Sequence, residues 1–408
     1  MNRLVALLLV LICLPLEVYA HGERAQQANT RMRTINWYDL DISPANVEVG
    51  ERVIVKGRFR ASTQWPEEIP SVDDRVFLNV GTGGPNFVRL SANIDGVSAV
   101  QSTSLELGKD YSFEIELKAR KPGRFHVHPL LNVKDSGGMV GPGRWVEIVG
   151  SFDDFENTTE TMFGRDVDLE TFNLATIITW HSVWFVLGGA WLFYWSRHQP
   201  LLIPRMRQVE EAESKGQDAD VLISATDVKV AIGFLTVTLL LIVGGFAWGE
   251  RDAPITIPLR TAKTNMPADK PYPIANVKVE VKAASYRIPG RSFRMQLSVE
   301  NQGPAALRVG EFLTANVRFI NPAVKTVIAL DEHDLVASEG LRVEGGAIAA
   351  GTTVDIEVFA EDALWETQRL TRMINDPDSV IAGLLFFYGD DGSREIVEVG
   401  SPMLPVFE

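Results

Sequence analysis

Two stretches of this chain leave little choice about where they can sit. From Asn173 to Trp195 the one residue able to carry charge near neutral pH is His181, and from Val230 to Trp248 there is none. Each stretch is about the length a helix needs to cross a bilayer core, roughly 20 residues. Trp180, Trp184, Trp191, Tyr194, Trp195 and Trp248 add aromatic weight, much of it near the ends, as interfacial belts do. The alternative is a pair of buried core helices, against which the lack of charge counts. The reading is therefore two transmembrane helices.

The chain start fixes their direction. Arg3, an apolar run from Leu4 to Leu14, and small residues at Val18 and Ala20 read as a signal peptide cut after Ala20. The N-terminal region is then exported, the first span runs inward and the second returns. Between them, Ser196 to Lys229 carries Arg197, Arg205, Arg207, Lys215 and Lys229, a cytoplasmic bias under the positive-inside rule. The expected organisation is a signal peptide (1–20), an outer region (21–171), a first span (172–196), a loop (197–227), a second span (228–249) and a second outer region (250–408). Both large regions fall on the periplasmic side of a bacterial inner or intracytoplasmic membrane.

The outer regions read as β structure. Residues 46–59, NVEVGERVIVKGRF, alternate apolar and polar about a glycine turn. Val76–Val80, Tyr111–Ala119, Arg124–Val133 and Trp145–Val149 continue the theme. Val277–Ala283, Phe293–Val299, Ala315–Phe319, Thr353–Ala360 and Ile381–Tyr388 repeat it after the second span. Asn301-Gln302-Gly303 and Asp390-Asp391-Gly392 read as turns, and Thr261–Pro273 as a linker. Short strands at regular spacing suggest a β-sandwich in each outer region, so the chain is mainly β with two transmembrane helices.

Charge and cysteine count exclude several functions. With 53 acidic against 39 basic residues, there is no electrostatic footprint for nucleic acid. The single cysteine, Cys13, lies in the signal peptide. The mature chain has no thiolate, which rules out disulfides, blue and purple copper centres, cysteine zinc sites and iron–sulfur clusters.

Histidines then become the ligands to follow. Cleavage after Ala20 leaves His21 at the mature N-terminus, where its free amine and its imidazole can grip one metal ion together. Phe125-His126-Val127-His128 follow the turn Arg120-Lys121-Pro122-Gly123 and enter a strand, where alternate side chains share a face. His126 and His128 therefore point the same way. Three histidines and an amine make a nitrogen-rich site that suits Cu(II) or Ni(II) better than a structural zinc. Three of the chain's 6 histidines occupy these positions.

The mature start HGERAQ, Met32-Arg33-Thr34-Ile35 with Trp37-Tyr38-Asp39, and the His-Val-His strand resemble the B subunit of copper membrane monooxygenases. Leu131-Asn132-Val133, Gly141-Pro142-Gly143, Ser224-Ala225-Thr226-Asp227 and Gly383-Leu384-Leu385-Phe386-Phe387 add to the likeness, which covers nearly the whole chain. These enzymes oxidise methane, ammonia or short hydrocarbons with O2. The resemblance implies two cupredoxin-like periplasmic domains and partner membrane A and C subunits, assembled as a trimer of three-subunit units. It also implies copper held by His21, His126 and His128. Some relatives carry a further histidine where this chain has Asn36, a poor copper ligand, which puts a second copper site there in doubt.

Other residues carry less. Glu23, two residues from His21, is a candidate to orient the copper from outside its ligand set, though a solvated carboxylate is the simpler reading. His181 lies inside the first span, where an ionisable residue is a functional candidate, with a neutral hydrogen-bonded role favoured. His198 and His333 read as solvated. Gly137-Gly138 and Gly141-Pro142-Gly143 lack the strand-then-helix setting of a nucleotide loop and read as turns. The competing functions are a periplasmic copper-handling protein and a purely structural assembly subunit.

Overall fold

A computed structural model describes residues 26–161, 163–200, 203–253, 276–288, 292–325, 335–376 and 378–407. The signal peptide, His21, Glu23, the Thr261–Pro273 linker and His333 lie outside the described residues. The chain divides into two compact units, one holding both β-rich regions and the other the two apolar helices.

The β-rich unit begins with a short helix, α1 (Ala28–Arg33). Ten strands follow: β1 (Ile35–Ser43), β2 (Asn46–Glu48), β3 (Arg52–Ala61), β4 (Val76–Gly81), β5 (Phe87–Ile94), β6 (Val97–Ser98), β7 (Asp110–Ala119), β8 (Gly123–Val133), β9 (Gly137–Val140) and β10 (Arg144–Val149). They form a sheet of order β1-β3-β7-β5-β6 facing one of order β2-β10-β8-β4, with β9 paired to β8. Period-two alternation makes this a sandwich. Val53, Val55 and Phe59 from β3, Phe113, Ile115 and Leu117 from β7, and Val127, Leu131 and Val133 from β8 all turn into one shared core. Opposite positions on each strand face outward.

In the second unit, β11 (Thr158–Glu160) and β12 (Asp166–Asp168) precede α2 (Leu174–His198), α3 (Ile203–Ser214) and α4 (Ala225–Asp252). Both α2 and α4 are long and apolar enough to cross a membrane. Their apolar side chains point outward: Phe185 is 82% exposed, the opposite of a soluble protein's core helix. Trp180 packs on Trp248 and Trp191 on Phe234, so the two helices form a hairpin. Its closed end is tied by Asp227, which completes a capping box with Ser224 at the start of α4 and accepts from Tyr194 Oη of α2 at 2.8 Å. The charged loop between the spans contains α3, which loop composition alone did not suggest.

A second sandwich returns to the first unit. Its strands are β13 (Val277–Arg287), β14 (Ser292–Asn301), β15 (Leu307–Thr314), β16 (Val317–Ile320), β17 (Val336–Ala337), β18 (Leu341–Glu344), β19 (Thr353–Glu361), β20 (Val380–Gly389), β21 (Arg394–Pro402) and β22 (Leu404–Val406), with α5 (Leu364–Thr367) between β19 and β20. Sheets β18-β19-β14-β13-β22 and β17-β16-β15-β20-β21 enclose Phe293, Phe312, Phe319, Trp365 and Phe387. One expected strand shortens: Ala315 and Asn316 sit at φ 49° and 68°. They are the left-handed two-residue turn joining β15 to β16, so the strand begins at Val317.

The two sandwiches share a seam. Ala28 and Met32 of α1 are built into the second sandwich's core. Arg31, 4% exposed, donates to the carbonyls of Gln368 at 3.0 Å and Ala315 at 2.7 Å. Tyr38 lies among Leu313, Leu384, Phe386 and Tyr388. Burial first, and then the nearby Asp110 carboxylate, pushes its phenol far above the usual range, so the ring stays neutral there. Ser62 and Thr63 bind Glu398.

Candidate metal centre

His126 and His128 come from the outer face of β8, because the odd-numbered residues of that strand fill the core. Their ring centroids are 4.2 Å apart and the rings stand at 90°. His126 is paired across to Trp145 of β10 and rests against its ring at 4.7 Å. Arg124 lies over the same indole, 4.8 Å from its centroid. His126 is half-buried, whereas His128 is 7% exposed.

A backbone contact sets the chemistry of His128. Its Nδ1 is 2.9 Å from the Gly141 carbonyl oxygen. A carbonyl can only accept, so Nδ1 carries the proton and the imidazole lone pair resides on Nε2. A backbone carbonyl that fixes tautomer and ring direction is the usual support behind a metal-binding histidine.

Gly141-Pro142-Gly143 makes this arrangement possible. A side-chain carbon at Gly143 would run into the His128 ring, and one at Gly141 would meet Pro129 at 2.6 Å and Trp37 at 3.0 Å. Glycine is needed at both positions for close approach. Reading this segment as a turn places it correctly between β9 and β10 but misses its role as the bed of His128.

Two histidines are half of a coordination set. Among the described residues, no three His, Cys, Asp or Glu side chains gather as a metal cage. The structure thus brings together His126 and His128, while His21 and Glu23 lie outside the described residues. Asn36 is buried on β1, on the face turned toward the seam. His181 Nδ1 sits 2.8 Å from the Ile177 carbonyl one turn back, and His198 Nδ1 makes the same contact with Tyr194 at 2.9 Å. Donor chemistry fits copper: two adjacent imidazoles, and no cysteine among the described residues.

Comparison with known proteins supplies the family. The model that describes the B-subunit protein of monooxygenases matches residues 22–407. The chain belongs to that family and is therefore a subunit of an oxidoreductase. It is 44% identical over 391 residues, 95% of this chain and 92% of the relative, to the particulate methane monooxygenase alpha subunit of Methylococcus capsulatus (Bath). A solved cupredoxin domain of amoB from Nitrosocaldus yellowstonii is 17% identical, covering 30% of this chain and 91% of that one, with a TM-score of 0.24. A conjugative transposon lipoprotein of Bacteroides eggerthii follows at 12% identity, over 28% of this chain and 94% of that one, with a TM-score of 0.18. Likenesses of that size leave the fold to be argued from the topology above.

Proposed function

We propose that this chain is the copper-binding B subunit of a membrane monooxygenase complex that uses O2 to hydroxylate methane, ammonia or a short hydrocarbon. Methane stands first among these because the 44% identical relative is named for it. The observation that carries the reading is the His126–His128 pair, with the His128 tautomer set by Gly141. His21, exposed by signal-peptide cleavage, completes the set with its amine and imidazole.

When bound, copper supplies a redox-active centre whose positive charge polarises ligands and can take part in O2 chemistry. The protein's own residues do the rest. The Gly141 carbonyl holds the Nδ1 proton of His128 away from the metal side. Trp145 supports the flat face of His126, limiting the rotamers a metal would have to select. Whether C–H or N–H attack occurs here or in a partner subunit, these residues bind copper and fix its position.

In this reading both sandwiches are cupredoxin-like domains on the periplasmic side, α2 and α4 cross the bilayer, and α3 lies in the cytoplasmic loop. The partners are the membrane A and C subunits of the same complex, joined as a trimer of three-subunit units. What supports this placement is the outward apolar surface of α2 and α4 with the basic residues between them.

The test is to purify the complex from membranes without an N-terminal tag. Copper content is recorded beside O2-dependent turnover of methane, ethylene and ammonia. Copper with turnover is the expected result. Copper without turnover in an intact complex would leave a copper-handling subunit, and neither would leave a structural one.

A further inference from the structure

The closed end of the α2–α4 hairpin holds more than the tie between Tyr194 and Asp227. Gln199, the residue after α2, donates to the Leu222 carbonyl and to Asp227 Oδ2, both at 3.3 Å. Its own amide oxygen accepts from Arg205 Nη1 of α3 at 2.8 Å. Two turns further along α3, Ala212 is buried, and the helix packs on the helical turn Ala219–Leu222. Arg205 and Ala212 lie on one face, separated by only about 20° around the helix axis. That face pins α3 to the hairpin, a few residues from where the first span ends.

The outward side of α3 changes character along its length. Ile203 and Met206, one turn apart, are 66% and 62% exposed. Arg207 beside them has no acidic partner among the described residues. Arg197, in the last turn of α2, is exposed too, and lies over the Phe193 ring at 5.3 Å rather than beside a carboxylate. The acids of α3 are Glu210, Glu211 and Glu213, all in its second half, and Glu211 is already bound to Lys215 at 2.6 Å. Aliphatic and basic groups thus stand at the end tied to the span, and acidic groups at the far end.

We infer that the first half of α3 is a docking surface for anionic phospholipid headgroups, with Ile203 and Met206 in the acyl boundary and Arg197 and Arg207 on the phosphates. The inference rests on the reading of α2 and α4 as bilayer spans. An interfacial helix buries aliphatic side chains at the headgroup boundary and keeps its cations above them, where negative lipid attracts them. Tyr194 and Trp195, near the end of α2, are the aromatic residues that mark this level. The link from Gln199 to Arg205 holds α3 within reach of it. A zwitterionic surface would satisfy the aliphatic pair alone; two guanidiniums without carboxylates select net negative charge.

The experiment reconstitutes the complex purified from membranes into vesicles of equal parts phosphatidylglycerol and phosphatidylcholine. A benzoylphenylalanine photoprobe replaces Met206, and its adducts are identified by mass spectrometry. An alkaline wash of the vesicles reports whether the chain is integral, and thermal unfolding serves as a control. Expected are lipid adducts enriched in phosphatidylglycerol. The enrichment should fall roughly fivefold in Arg207→Gln and again when Arg197→Gln is added, the scale of one cation near an anionic surface. It should also fall in high salt. Adducts confined to another protein of the complex would make this face a subunit contact, and an absence of adducts would make it solvated; either overturns the inference. Lipid adducts without phosphatidylglycerol preference, or with a preference that both arginine substitutions leave intact, overturn it as well. If the alkaline wash releases the chain, the spans themselves are misread and the inference falls with them.

Discussion

Asp39 and Arg394, 355 positions apart, form a two-pronged ion pair across the seam, with Nη1 to Oδ1 at 2.8 Å and Nη2 to Oδ2 at 2.6 Å. Asp39 has a left-handed backbone, φ 52°, at the irregularity where β1 shifts register against β3. That kink is what aims the carboxylate out of its own sheet. Asp39→Asn should remove the charge while keeping the shape. Both partners are partly exposed, so the cost should be about 1 kcal/mol, read as a small fall in unfolding temperature, with copper content unchanged.

Met32 offers a larger effect from the same seam. It is completely buried, but in the core of the sandwich built from residues beyond 276. Met32→Ala should cost about 2–5 kcal/mol through the cavity it leaves. The loss should show as faster proteolysis of the C-terminal sandwich, although the substitution lies at the other end of the chain. Unchanged proteolysis would mean the core closes around the gap.

Gly143→Ala tests the bed of His128. The added methyl must displace the imidazole or the loop, an overpacking cost of about 1–3 kcal/mol. Copper content should fall while the β circular-dichroism signal stays. A variant with full copper would show that the His128 ring is free to move without consequence.

Copper retention should also depend on acidity in a definite direction. In the proposed site protons and Cu(II) would compete for the same imidazole and amine nitrogens, so lowering the pH from about 8 to about 5 should release metal. Restoring the pH should restore it. Equilibrium dialysis at several pH values measures this, and retention that is flat across the range would count against nitrogen ligation.

In the hairpin of apolar helices, Tyr194→Phe deletes the donor to Asp227 but leaves Ser224 in the capping box. Loss of this hydrogen bond to a charged acceptor should loosen the tie between the two helices at that end. The expected readout is increased protease access to the segment around Ser224 in intact membranes. No change would assign the helix start to Ser224 alone.

Much of this architecture was legible in the sequence. Strands β3, β7 and β10 alternate cleanly because one face meets the core and the other meets solvent, whereas β8 is buried on both faces from Val127 to Pro129. β15 does not alternate: Leu307–Thr314 is buried almost continuously, since one face fills the sandwich and the other the seam, and no period survives. β1 escapes a pattern reading for the same reason, with Trp37 turned into one core and Tyr38 into the seam. The His126–His128 pair was readable from strand alternation alone. Its support by Gly141 and Gly143 was not, because close approach of a loop to a ring is a tertiary fact. The segments that carried the family resemblance acquire a physical meaning together. Trp37-Tyr38-Asp39 and Gly383-Leu384-Leu385-Phe386-Phe387 face each other, Tyr38 edge-on to Phe386 at 5.9 Å.

The rooting of α1 in the second sandwich bears on the order of events during synthesis. Arg31 and Met32 are made early, whereas Arg31's partners at Ala315 and Gln368, and the core that takes up Met32, come after both apolar helices. Contacts so distant in sequence form late, because the intervening chain must first be closed into a loop. The arm ahead of β1 therefore has no seat until nearly the whole polypeptide exists, and a truncated chain would leave its own beginning undocked.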